Sequence, residues 1–83
     1  MTADMVFLMR RQEPRSRFQD LDSVTINVAV ITDDGDQIAA GSEGTIVGIW
    51  RGGAAYEVEF AEPPGALATI DPGDLTLVAR API

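Results

Sequence analysis

Gly52-Gly53-Ala54-Ala55-Tyr56-Glu57-Val58-Glu59-Phe60 is the stretch on which the fold turns. Tyr56, Val58 and Phe60 alternate with Ala55, Glu57 and Glu59, the period of two that marks a strand with one apolar and one charged face. Such a strand presses its aromatic side against a second layer, and its carboxylates then face whatever lies outside. The paired glycines ahead of it supply the positive φ angles of a tight hairpin, so Arg51-Gly52-Gly53 reads as the tip that joins it to a preceding strand over 45–50.

The same pattern extends in both directions. Val24, Ile26, Val28 and Val30 alternate with Thr25, Asn27, Ala29 and Ile31, which predicts a strand over 24–31. Asp33-Asp34-Gly35-Asp36 turns the chain, Ile38 supplies a single apolar anchor, and Gly41-Ser42-Glu43-Gly44 turns it again. Beyond Phe60, Glu62-Pro63-Pro64-Gly65 places proline ahead of glycine as a type II turn prefers, and a strand over 66–70 follows. Asp71-Pro72-Gly73-Asp74 fits either a similar turn or one turn of 3₁₀ helix capped by Asp71, and a strand over 75–79 closes the chain. Short strands at this spacing, with no helical stretch among them, predict an all-β barrel or sandwich over residues 23–83.

Composition narrows the function. The 83 residues leave room for one domain, and 46% hydrophobic content is enough to fold it. Cysteine and histidine are both absent, which excludes disulfides, Cys/His zinc sites, thiol nucleophiles and imidazole bases. The apolar run Met5 to Met9 is too short to span a membrane, and its order, Asp4 before and Arg10 and Arg11 after, is the reverse of a signal peptide; a cytoplasmic protein is expected. Residues 1–22 read as an N-terminal extension, flexible or in part a short helix through Met5, Leu8 and Met9, with Pro14 interrupting the arginine-rich part. Residues 1–22 balance four arginines against four acids, whereas residues 23–83 set two arginines against nine carboxylates, so the body holds the whole net charge of −7. A body of that sign repels phosphate backbones and attracts basic surfaces.

Three clusters invite chemistry. Asp33, Asp34 and Asp36 around Gly35 lack the spacing of a calcium loop and are better read as turn formers. Glu57 and Glu59 lie two residues apart on one strand face; carboxylates about 7 Å apart do catalytic work only inside a cleft, so an electrostatic docking face is the reading preferred. Trp50, Arg51 and Tyr56 gather near the hairpin tip, where Tyr56 belongs to the core by its alternation and Trp50 fits core or interface equally. Gly41-x-x-Gly44 lacks the lysine and spacing of a phosphate loop and reads as a sharp turn between strands.

The run from Gly41 to Trp50, the run from Ala55 to Phe60, Asp74-Leu75 and the Asp22-Ser23-Val24 element together resemble a family of small bacterial SH3-like barrels of unknown function over residues 20–78. The Asp33 to Asp36 turn departs from that family's usual loop. The resemblance implies a five-stranded SH3-like barrel and an immunity or antitoxin role. More distantly, the Gly41 to Val47 segment is similar to the KOW element and to the barrels of nitrile hydratase β subunits and ferredoxin-thioredoxin reductase. These likenesses carry no catalytic residue. The expectation is therefore a non-enzymatic binding module without cofactor or metal, which neutralises a basic protein such as a nuclease-type toxin. Glu57, Glu59, Trp50, Arg51, Asp33, Asp34 and Asp36 form its contact residues. The alternatives are an accessory subunit of a larger enzyme and, ranked lower because arginines are so few, a KOW-like RNA-binding module.

Overall fold

A computed structural model describes residues 17–82 of the chain. The short helix or docking arm anticipated around Met5 to Met9 lies outside the described residues.

The described chain is all-β. Its strands are β1 (Ser23–Ile26), β2 (Val30–Ile31), β3 (Gln37–Ile38), β4 (Glu43–Trp50), β5 (Ala55–Phe60), β6 (Ala66–Ile70) and β7 (Leu75–Ala79), with a single 3₁₀ turn, Pro72–Asp74, before the last. Five of them form an antiparallel sheet in the order β6-β5-β4-β1-β7, and β2 and β3 pair separately. A three-strand meander extended by the first and last strands is the SH3-like barrel arrangement. None of the described residues lies in a helix long and apolar enough to cross a membrane.

β4 is the strand both halves share. Glu43 to Thr45 pair with β1, while Gly44 to Trp50 pair with β5. The register of the second pairing shifts between Ile46 and Gly48, so Val47 is an extra residue, and such a bulge bends a strand so that its sheet can curl. Inside the curl lie Val24 and Ile26 of β1, Ile46 of β4, Tyr56, Val58 and Phe60 of β5, Ala66, Ala68 and Ile70 of β6, and Leu75 of β7, with Ile38 and Phe18 closing the cluster. Each fully buried aliphatic or aromatic side chain contributes about 1.5–3 kcal/mol. Tyr56 has no exposed surface; its ring meets Phe18 edge to face at 5.1 Å, and the Phe18 amide donates to its hydroxyl at 3.2 Å. The polar tip of a wholly buried ring is thereby satisfied.

The turns follow their residues. Arg51, Gly52 and Gly53 all take positive φ, and the Gly53 and Ala54 amides both donate to the Trp50 carbonyl to close the β4–β5 hairpin. At the next turn Gly65 has φ of 77° and the Ala66 amide donates to the Pro63 carbonyl, as the Pro-Gly order predicted. The 3₁₀ alternative holds at Pro72–Asp74, but the Asp71 side chain makes no capping hydrogen bond there.

Three sequence expectations are corrected. The strand over 24–31 breaks after Ile26, because its partners end: Ile26 lies opposite Leu75, where β7 begins, and the Asn27 amide turns to the Asp74 carbonyl. Val28 is then 43% exposed, and Val30 and Ile31 pair with Ile38 and Gln37 in the small sheet. Gly44 is no turn residue. It lies inside β4, where an added Cβ would come within 2.5 Å of Val58 Cγ1 and 3.1 Å of Phe60 Cδ1, so it is the gap into which β5 packs. Gly41, with φ of 90°, does make the turn. Finally, the packed body starts ahead of residue 23, since Phe18 and Asp22 are both buried.

Candidate functional site

Register places the outward side chains in rows across β4, β5 and β6. Glu59 lies between Thr45 and Leu67, Glu57 lies between Gly48 and Thr69, and Trp50 lies beside Ala55. Opposed residues share a face, so Trp50, Glu57 and Glu59 belong to the outer surface while Tyr56, Val58 and Phe60 line the core. Glu57 sits close over Gly48, where a Cβ would stand 3.1 Å from its own. Thr69 Oγ1 donates to Glu57 Oε1 at 2.8 Å, which steadies the carboxylate of this half-buried residue. Glu59 is exposed.

Trp50, which the sequence left between core and interface, is 55% exposed, and Arg51 is exposed beside it at the hairpin tip. Val47 and Ile49 are also partly exposed along β4. The outer face therefore ends in an apolar anchor at one side of its carboxylates.

Asp33, Asp34 and Asp36 are exposed in the loop between β2 and β3. Thr32 organises that loop: its amide donates to the Asp36 carbonyl at 2.8 Å and its hydroxyl accepts from the Asp36 amide at 3.0 Å. The described residues contain no group of three or more acids placed to hold a metal ion. The Asp33 amide donates to the Leu67 carbonyl at 2.9 Å, and Leu67 pairs with Glu59, so the acidic loop abuts the sheet one strand away from Glu59.

Two carboxylates at this end escaped the sequence reading. An open depression is lined by Ser42, Glu43, Phe60, Ala61 and Glu62. Glu43 is two residues before Thr45, hence on the same outer face. Only the register, with Gly44 opposite Phe60, brings Glu43 and Glu62 together, and no local motif announces it.

Asp22 is a different kind of acid. It is fully buried, and its carboxylate accepts from the Gln19 amide, the Ala81 amide and Arg80 Nη1, each at 2.8 Å. Burial pushes its pKa up, but the hydrogen bonds from Gln19 and Ala81 and the Arg80 guanidinium outweigh burial and hold it below the ordinary aspartate value. Asp22 ties the segment entering the barrel to the segment leaving it. Among the described residues Arg80–Asp22 is the one ion pair, so the outer carboxylates of β4 and β5 are uncompensated there. Comparison with known protein families, with curated proteins and with solved structures finds no match.

Proposed function

We propose that the barrel is a non-catalytic protein-binding module that neutralises a basic partner, in the manner of an immunity protein or antitoxin. The observation that carries this reading is the outward placement of Glu57 and Glu59 on a body of net charge −7, with Trp50 exposed on the same face. A partner with a cationic groove gains charge complementarity from the glutamates and an aromatic anchor from Trp50. Opposite fields of this kind raise association rates from about 10⁵–10⁶ M⁻¹s⁻¹ towards 10⁸ M⁻¹s⁻¹ or more at low salt. The resemblance to small bacterial SH3-like barrels points the same way.

The test is affinity capture from the native host with the full chain and with the Glu57→Gln/Glu59→Gln variant, followed by mass spectrometry and association kinetics of the captured protein. A basic protein retained by the parent chain and lost by the variant, with an association rate that falls steeply as salt is added, supports the reading. A salt-insensitive rate would count against it.

The exposed Trp50 at the end of β4 favours a second reading, an accessory subunit that docks by an apolar contact. Under it Trp50→Ala abolishes capture and the double glutamine variant does not; under the first, the glutamine variant has the larger effect on the association rate.

A further inference from the structure

The two edges of the main sheet are treated differently. At the β6 edge the Asp33 amide reaches the Leu67 carbonyl, so the acidic loop guards that strand. At the other edge β7 pairs with β1 on its inner side, and no described residue hydrogen-bonds to its outer side. Thr76 to Ala79 are exposed in an unbroken row, with Leu77 at 37% and Val78 at 50%. An uncharged, proline-free edge of this composition is a ready template for another strand.

The flanking charges indicate which strand fits. Asp74 stands directly before Leu75-Thr76-Leu77-Val78-Ala79 and Arg80 directly after. Laid antiparallel on a copy of itself about Leu77, the segment sets Asp74 opposite Arg80, Leu75 opposite Ala79, and Thr76 opposite Val78. Such an isologous contact is complementary in charge at both ends and uncharged between. Arg80 is half exposed, so its pairing with Asp22 leaves guanidinium donors available.

We propose that β7 is a dimerisation edge, on which a second copy of this chain adds its own β7 antiparallel and joins the two main sheets into one. The contact is small, since only the strand edge and the side chains beside it are covered, so the dimer belongs with weak, concentration-dependent interfaces. The register shift opposite Ser23 and Val24 makes Val78 an extra residue, so the edge bends one place from Leu77 and its ladder is weakened there. β5 lies three places from β7 in the sheet order, so both acidic faces stay open in the dimer and the proposal stands independently of the partner reading.

The competitor is within the chain itself: Asp4-Met5-Val6-Phe7-Leu8-Met9-Arg10 repeats the pattern of an acid, an apolar run and an arginine, and would align Phe7 with Leu77. The chain has no cysteine, so introduced ones report cleanly. Opposed Cβ atoms in an antiparallel pair lie about 4.5–5.5 Å apart, close enough for a disulfide with slight adjustment. The experiment is sedimentation velocity of the full chain over a wide concentration range, with oxidative cross-linking of Leu77→Cys, Val47→Cys and the Phe7→Cys/Leu77→Cys double variant. The expected result is a reversible monomer–dimer equilibrium, weakened at least tenfold by Val78→Lys, and a covalent dimer from Leu77→Cys but not from Val47→Cys. A chain that stays monomeric at the highest concentration with no cross-linked Leu77→Cys dimer overturns the proposal. So does a dimer indifferent to Val78→Lys, or an intramolecular cross-link in the double variant, which would give the edge to residues 4–10.

Discussion

The β4–β5 hairpin and the stretch from residue 17 to residue 31 differ in how far their sequence pattern survives folding. In β5 every second side chain is buried as the alternation demands, because ladders on both sides hold the strand along its length. In the first stretch an equally regular alternation runs through Val28, yet the ladder ends at Ile26 and the chain bends away. Meanwhile Phe18 and Asp22, which no alternation marks, are buried. Alternation records a preference for being half covered; whether the preference is honoured depends on a neighbouring strand long enough to supply hydrogen bonds.

That contrast can be broken at its strong end first. Tyr56→Ala removes the ring at the centre of the core and its contact with Phe18, and should cost about 3–5 kcal/mol in urea-unfolding free energy, with the entering segment released. Tyr56→Phe keeps the ring, removes the hydroxyl that accepts from the Phe18 amide, and should cost about 1 kcal/mol by the same measurement. Between these two in size is Asp22→Ala, which leaves the Gln19 and Ala81 amides without their acceptor and should cost about 2–3 kcal/mol in the same titration. A cost as small as that of a surface acid would show that the first stretch is held by packing alone.

The pH dependence of that latch has a definite sign. Asp22 in the folded chain titrates below its unfolded value of about 3.9, so the unfolded state takes up the proton first. Its contribution is complete above the unfolded pKa and is lost as pH falls through the folded one. The urea midpoint of the parent chain should therefore fall more steeply below about pH 4 than that of Asp22→Asn, and parallel curves would contradict the assignment. The smallest effect is expected at the position where the pattern misleads. Val28→Thr, at an exposed site, should change unfolding free energy by less than about 0.5 kcal/mol. A larger loss would mean that the strand continues past Ile26.

What could be read in advance was local chemistry. The faces of β5, the Pro64-Gly65 turn and the 3₁₀ turn at Pro72 each rest on a few adjacent residues, and each is present. Glu57 and Glu59 were legible for that reason. Gly44 was not, since its role depends on Val58 and Phe60 across the sheet. Trp50 stayed open because it ends its strand, where the neighbours that would cover it are set by the hairpin tip. Glu43 and Glu62 meet only through register, and Asp22 is buried only because Arg80 and Ala81 return to it from the far end of the chain.

Carbodiimide labelling of carboxylates in the full chain, free and in complex with a basic protein retained in the capture experiment, reads the proposed face residue by residue. Glu57 and Glu59 should label in the free chain and become protected in the complex, with Asp22 unreactive in both. Equal labelling of Glu57 and Glu59 in the two states would contradict the account.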